Sequence, residues 1–389
     1  TPSGDCQPRS LRDFRNMLKE GHMTSNLKIL FILDYAETGG GATRMMLWVA
    51  SSMADLGCEV SLCSISRSRF LEESLPPACS YHCFDAPPRT QTHKRNPAEE
   101  TVLFSRIKAF MCSERPNVVV SFGGHEFYYA LALRHSCGYK LLVSERADPY
   151  HPRSKGDRIR RALYNRADFA AFQTPEAMRY FSPSLQRRAA VIPNPAKRSF
   201  AESWAPSRSK TIATLSRIDL FQKRLDIVVE AMALMETEAE LRIYGGGPQP
   251  ELDKLESLIG ASPAKGRIRL MGPVESPEAA FEGADVYVLC SDYEGIPNTV
   301  MEALSYGIPV ISTDCSPGGA RLLLDCGRYG TIVPCGDARA LARALDDYFR
   351  APAPAIAKAE RGVESVSRFD EGAIAKAWLD AFRMTAGDS

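Results

Sequence analysis

Ser291-Asp-Tyr-Glu-Gly-Ile-Pro-Asn-Thr-Val-Met-Glu302 sets two carboxylates, Glu294 and Glu302, eight positions apart. An apolar run, Asp285-Val-Tyr-Val-Leu-Cys290, precedes it, and a second, Ile308-Pro-Val-Ile-Ser312, follows it. Both read as strands. A Gly-Ile-Pro loop at the C-terminal end of a strand is where an open parallel sheet receives a ligand. Asn298 reads as an N-cap and Gly307 as the glycine that ends a helix, so a helix is expected from about Thr299 to Tyr306. Its N-terminus would offer N–H groups and a positive dipole end to a diphosphate. Glu294 just before that helix and Glu302 in its first turns would then address the two ends of one phosphate-bearing ligand. The spacing by itself fits equally a solvated Glu ahead of a cap and an ordinary surface Glu on a helix.

Outward from this segment, strand and helix patterns alternate along the chain, which predicts an α/β protein with parallel sheets. In the first half, strand-like runs fall at 28–33, 59–64, 117–121, 140–144 and 168–172, and helical patterns at 42–56, 99–114, 126–136, 157–166 and 175–181. A Pro- and Ser-rich stretch from Pro193 to Ser209 reads as a linker. The pattern then repeats, with strands near 211–215, 240–244, 268–271, 285–290, 308–312 and 331–333, and helices near 223–235, 249–259, 277–282, 299–306, 319–325 and 338–350. Ile374, Trp378 and Phe382 stand at helical spacing in a last helix. The division expected is a leader or tag over 1–25, a first domain over 26–195, a second over 196–368, and a final helix over 369–389 that returns to the first.

Length and composition agree with two globular domains: 389 residues, 44% hydrophobic and 24% charged. No apolar run reaches the roughly 18 residues that a bilayer span needs. The first 20 residues are polar and charged, unlike a secretory signal. Eleven cysteines, with no Cys-x-x-Cys pair, point to reduced thiols in a cytoplasmic protein and away from a disulfide framework or zinc site. Cys79, His82 and Cys83 lack the second ligand pair that a metal would need. The net charge of +1 hides a split, +9 over residues 1–200 and −8 over 201–389, which suggests different partners for the two halves.

The segment around Glu294 and Glu302 resembles the E-x7-E signature of the retaining family-4 glycosyltransferases, whose fold is GT-B. The order Ser-x-x-Glu-Gly-x-Pro, Glu-Ala-Leu, Gly-x-Pro-Val-Ile and then a glycine-rich loop matches as well. Further matches run along residues 27 to 385. They include Lys28-Ile-Leu-Phe-Ile-Leu33 with Thr38-Gly-Gly-Gly-Ala-Thr-Arg44, then Ile192-Pro-Asn-Pro195, and Ser216-Arg-Ile-Asp-Leu-Phe-Gln-Lys-Arg224. Ile243-Tyr-Gly-Gly-Gly-Pro248 and Met271-Gly-Pro-Val274 complete them. The resemblance implies two doubly wound Rossmann-like domains with a cleft between them. It also implies a nucleotide sugar as donor, its base not fixed by the sequence but weighted by the family toward UDP.

On that resemblance, Arg217 and Lys223 grip the phosphates, where fixed positive charge stabilises a leaving diphosphate; Arg224 reads as a surface residue. Glu294 contacts the transferred sugar and Glu302 the ribose diol, which a carboxylate can accept in bidentate fashion. Gly295, Ile296, Pro297, Asn298 and Thr299 line sugar and phosphate, and Gly246, Gly272 and Val274 the nucleotide. Gly39, Gly40 and Gly41 let backbone approach the diphosphate closely. His125, after Val118-Val-Val-Ser-Phe-Gly-Gly124, stands where relatives often carry a histidine near the sugar; a helix-capping His is the plainer reading.

Glu145 and Arg146, in Ser144-Glu-Arg-Ala-Asp-Pro149, are candidates for acceptor or donor sugar. Arg158, Arg160 and Arg161, with Arg153, Lys155 and Arg166, are candidates for an anionic membrane or a lipid-diphosphate acceptor. No aromatic stacking pattern accompanies them, so nucleic acid is not expected. The Ser316-Pro-Gly-Gly-Ala-Arg321 loop departs from relatives in carrying Leu322 where a Glu is frequent. No cofactor and no catalytic metal are expected, and the location expected is cytoplasmic, peripheral at the inner face of the membrane. A nucleotide-sugar 2-epimerase, a phosphorylase-like enzyme and a non-enzymatic sugar-nucleotide binder are the alternatives.

Overall fold

A computed structural model describes residues 27–34, 40–88, 95–152, 154–196, 204 and 209–387. The expected leader, Gly39, Arg153 and most of the Pro/Ser-rich linker lie outside these residues. The chain forms two compact units, one of residues up to Asn194 together with Glu371 onward, the other from Pro195 to Asp370.

The first unit is built on seven parallel strands: β1 (Lys28–Leu33), β2 (Glu59–Ser64), β3 (Ser80–Cys83), β4 (Val118–Ser121), β5 (Lys140–Glu145), β6 (Phe169–Phe172) and β7 (Ala189–Val191). Their order is β3-β2-β1-β4-β5-β6-β7, so the direction of winding reverses between β1 and β4. Side chains alternate across a strand. Accordingly Ile29, Phe31 and Leu33 enter one core and Leu30 and Ile32 the other. Helix α1 (Gly41–Asp55) covers the first face, and α2 (Pro97–Glu114) with α3 (Glu126–Cys137) the second. Helix α2 starts at a reciprocal cap: Asn96 accepts from the Glu99 amide (3.0 Å) and Glu99 from the Asn96 amide (2.8 Å). Helix α4 (Lys155–Leu163) follows β5.

The second unit has six parallel strands: β8 (Thr211–Leu215), β9 (Glu240–Tyr244), β10 (Ile268–Gly272), β11 (Val286–Leu289), β12 (Val310–Thr313) and β13 (Thr331–Val333). Their order, β10-β9-β8-β11-β12-β13, reverses between β8 and β11. Helices α5 (Leu225–Leu234) and α7 (Ala338–Arg350) pack on one face, and α6 (Asn298–Tyr306) on the other. The last helix, α8 (Glu371–Ala386), belongs to the first unit. Its Ile374, Trp378 and Phe382 are buried there, Trp378 stacked on Phe122 at 5.8 Å and Phe382 edge-on to Phe31 at 6.1 Å.

Several expectations need correction. Asn298 is not an N-cap: Pro297 takes that position, no side chain caps the helix, and Asn298 is its first, exposed residue. The proline ring holds φ at −74° and the helix begins directly after it. The helix expected over 223–235 is broken by Arg224, whose φ is +49°. Strands β3 and β7 and the helices Arg69–Ser74, Pro183–Gln186 and Ala353–Ser365 were not anticipated. Gly307 does end α6 in the left-handed conformation, at φ +77°.

Candidate active site

Both loops that leave the second sheet at its reversal carry candidate residues, and they are laced together. In the loop after β11, the buried Ser291 donates to Glu294 Oε1 (2.7 Å), and its carbonyl accepts from Thr313 Oγ1 (2.6 Å). The Glu294 amide donates to the Ser316 carbonyl (2.7 Å). In the loop after β8, Asp219 caps the turn Leu220–Lys223 by accepting from the Gln222 amide (3.1 Å). Gln222 then bridges the loops. Its side-chain amide donates to the Tyr293 carbonyl (3.1 Å), and its carbonyl accepts from the Asp292 amide (3.0 Å).

This lacing places the Lys223 ammonium against Glu294 Oε1 in a direct ion pair. The two side chains are 17% and 11% exposed, so the pair is shielded yet reachable from solvent. Arg217 lies further out, 54% exposed, donating to Asp219 Oδ2 (2.7 Å) and Gln222 Oε1 (3.4 Å). Arg224, expected on the surface, instead ties the loops by donating to Asp226 and to Asp292 Oδ2 (2.8 Å).

Glycines fix the adjoining turns. A Cβ on Gly245 would sit 1.8 Å from the Ser216 carbonyl oxygen, and one on Gly247 2.5 Å from that of Ile218. A Cβ on Gly246 would meet nothing closer than 3.9 Å, so packing does not demand glycine there, although its carbonyl accepts from the Ile218 amide (2.9 Å). Gly272, at φ +78°, accepts from the Gly245 amide (2.8 Å), and Val274 packs half-buried beside it. Gly319 seats the Ser316–Gly319 loop under Gly295, since a Cβ there would lie 1.9 Å from the Gly295 carbonyl oxygen. Ser316–Pro317 is cis. Leu322 packs into the same apolar cluster as Ile296, while Arg321 pairs with Asp314.

Thr299 turns its hydroxyl inward to the Tyr287 hydroxyl (2.6 Å), which also bonds the Leu215 carbonyl (3.3 Å). Burial holds this phenol protonated by raising its pKa. Glu302 follows Thr299 by three residues, so the two share one helix face; Glu302 is half-buried. Sequence reading missed Tyr287, Gln222 and Asp219. A tyrosine within a fully buried strand was the available signal, because its hydroxyl must find a partner.

In the first unit, Gly40 precedes α1 and Gly41 opens it; neither has a positive φ, and a Cβ on Gly41 would meet nothing within 4 Å. His125 occupies the position before α3 without capping it, its ring 5.1 Å from Tyr128 and 5.7 Å from Tyr129. The loop before it is held by a residue that went unrecognised, the buried Glu126. This carboxylate accepts from Ser121 Oγ (2.8 Å) and the Gly124 amide (2.7 Å). Burial pushes its pKa up to about 7, and those hydrogen bonds oppose the shift.

The basic set divides. Glu145 and Arg161 form a buried ion pair (2.9 Å; 4% and 3% exposed), and Arg161 also donates to the Asp148 and Pro149 carbonyls. Neither is available to an acceptor or a membrane. Arg146 is also engaged inside the unit, donating to the Ile192 carbonyl (3.0 Å) and to Asn194, with its guanidinium 5.9 Å from the Trp378 ring. Burial lowers its pKa to about 9. Arg160 is bound to Asp157 (2.7 Å) and Tyr164 (3.3 Å). Arg158, Lys155 and Arg166 remain exposed, beside Ile159 at 57% exposure. His82 packs between Phe84 and Phe110. Among the described residues, no helix is long and apolar enough to cross a membrane.

Comparison with known proteins gives two family matches: a glycosyl transferase 4-like domain over residues 40–195 and the glycosyl transferases group 1 over residues 209–350. Together they take in well over half of the chain. The lipopolysaccharide core biosynthesis glycosyltransferase LpsE of Rhizobium meliloti is 28% identical over 175 residues, 45% of this chain and 50% of that protein. The phosphatidyl-myo-inositol mannosyltransferase of Mycobacterium leprae is 30% identical over 189 residues, 46% of this chain and 48% of that protein. The chain spans about half the length of these curated relatives, and 21% of an exopolysaccharide phosphotransferase of Streptomyces coelicolor that it also matches. In fold it is similar to Anabaena HepE, solved in complex with UDP and glucose, at a TM-score of 0.75 and 16% identity, covering 91% of this chain and 98% of that one. The sucrose-phosphate synthase of Thermosynechococcus elongatus superposes at a TM-score of 0.77 and 20% identity, covering 93% and 100%.

Proposed function

Because the chain belongs to the family-4 glycosyltransferases of GT-B fold, we propose that it moves a hexose or N-acetylhexosamine from a UDP-sugar to a saccharide acceptor, with retention, in the assembly of a bacterial surface polysaccharide or lipopolysaccharide. The observation that carries this reading is the Lys223–Glu294 pair at the reversal point of the second sheet. A diphosphate and the sugar it carries need a cation and a hydroxyl acceptor side by side, and this pair supplies both.

In the reaction the bond from the sugar C1 to the β-phosphate oxygen breaks, a bond from C1 to the acceptor oxygen forms, and the acceptor hydroxyl's proton passes to the departing diphosphate or to water. Negative charge gathers on the departing diphosphate, and Lys223 with Arg217 meets it there. Glu294 is suited to holding a sugar hydroxyl more than to attacking C1. Its Oε1 already accepts from both Ser291 and Lys223, which stabilises the carboxylate and weakens it as a nucleophile. Glu302 takes the ribose diol. Gly295, the first turn of α6, Gly246, Gly272 and Val274 lie along the nucleotide. The UDP and glucose bound by HepE and the names of the curated relatives support this choice of donor and pathway. The chemistry proposed uses no cofactor and no catalytic metal.

The acceptor is a polyprenyl-diphosphate-linked glycan, with the protein peripheral at the inner face of the membrane. The exposed Lys155, Arg158 and Arg166 beside Ile159 support this, since basic side chains flanking an apolar one suit an anionic surface. The deciding experiment incubates the protein with UDP-, GDP- and ADP-sugars without acceptor and measures free nucleoside diphosphate. Selective release from one UDP-sugar, abolished in Lys223→Ala, supports the reading. An epimerised sugar nucleotide in the same tubes, or release unaffected by Lys223→Ala, overturns it.

A further inference from the structure

We propose that Cys112 and Cys137 form a site of reversible disulfide modification that staples α2 to α3. Cys112 lies near the C-terminal end of α2 and Cys137 is the last residue of α3. Their Sγ atoms are 2.8 Å apart, closer than two non-bonded sulfurs rest and within a small side-chain adjustment of the ~2.05 Å S–S bond. Both thiols are present as free cysteines, and both side chains are partly exposed, so a small reagent can reach them.

The surroundings hold the pair in place. Cys137 Sγ lies 3.7 Å from the Lys108 carbonyl and 3.9 Å from Ser136 Oγ. At the opposite ends of the same two helices, the Tyr129 hydroxyl on α3 is bonded to Glu100 on α2. The helices therefore run side by side with one polar link already made. A metal would require more ligands: among the described residues no cluster of three or more His, Cys, Asp or Glu side chains could hold one.

The co-reactant is a low-molecular-weight disulfide such as oxidised glutathione. One cysteine, as thiolate, attacks a sulfur of the reagent, forming a mixed disulfide and releasing one glutathione thiolate. The second cysteine then attacks the protein sulfur of that mixed disulfide and releases the other. Two protein thiols are oxidised, one disulfide is reduced to two thiols, and the two protons pass to the glutathione thiolates or to water. Burial, with the neighbouring Cys112, pushes the Cys137 thiol up to about 11, which makes Cys137 a poor first nucleophile at neutral pH, while the second attack is helped by proximity. The product ties down α3, the helix that His125 and its glycine loop lead into.

The test uses the whole protein, equilibrated in glutathione buffers of increasing oxidised fraction, then alkylated, digested and analysed by mass. The expected result is that Cys112 and Cys137 lose alkylation together and appear in one linked peptide pair, lighter by two hydrogens than the free pair. The melting temperature of that form should rise, and Cys112→Ser or Cys137→Ser should abolish both the link and the rise. Three outcomes would overturn the proposal. Both cysteines could stay alkylatable while exposed Cys326 and Cys335 are already glutathionylated. Separate, unlinked glutathione adducts could form on Cys112 and Cys137. Cys137 could remain protected in Cys112→Ser, which would make simple burial the cause. None of these readings depends on transferase activity.

Discussion

Lys223 and Glu294 hold each other, so each single substitution leaves a half-buried charge behind. Lys223→Ala exposes an incoming diphosphate to the Glu294 carboxylate and removes the cation that meets the leaving group. We expect kcat to fall about 10²- to 10³-fold, the usual effect of deleting one preorganised donor, measured as nucleotide released per turnover. Arg217→Ala should cost less, because its guanidinium is more exposed and already shared with Asp219. Glu126 makes a separate prediction. Its carboxyl is raised from 4.5 to about 7 in the folded protein, which makes the folded state the better proton binder. Stability contributed by the protonated form is therefore lost as pH rises from 4.5 toward 7 and stays lost above. Glu126→Gln should melt higher than the parent at about pH 8, and the difference should shrink toward zero near pH 5. A pH-independent difference in scanning calorimetry would refute this.

At the scale of the element, the two strands flanking the first segment quoted were readable because short apolar runs between polar turns have few other uses. Strand β3, Ser80-Tyr-His-Cys, was not, because it is an edge strand whose side chains are only partly buried and its sequence shows no apolar run. The break at Arg224 was hidden because its pairs with Asp226 and Asp292, one of them on a distant loop, hold the left-handed turn. Tertiary pairing likewise removed Glu145 and Arg161 from the surface, and a charge count along α4 carries no sign of it. The glycine loops were legible as turns, but only packing separates Gly245, Gly247 and Gly319, which a side chain would drive into backbone, from Gly246. Gly319→Ala should displace the Gly295 loop and remove donor turnover while far-ultraviolet circular dichroism stays unchanged. Trp378→Ala in α8 empties a fully buried site. It should destabilise the first unit by about 3–5 kcal/mol, read from denaturant unfolding.

For the whole molecule, the sequence divides its charge, +9 over residues 1–200 and −8 over 201–389, and the exposed part of the basic share includes Lys155, Arg158 and Arg166. Replacing Lys155, Arg158 and Arg166 together by Glu should abolish co-sedimentation with vesicles rich in anionic phospholipid. It should leave nucleotide release from a soluble donor intact, and parental binding should weaken with added salt. Membership of α8 in the first unit carries a consequence for synthesis. That unit's apolar face under Phe31 and Phe122 waits for Trp378 and Phe382, which leave the ribosome only after residues 195–370 have been made. At ~5–20 residues per second that interval is roughly 10 to 35 s. Throughout it the earlier-made unit stays open along one side while the other is still being made, so a nascent chain of this protein should engage holdase chaperones through its beginning and be released once its end is made.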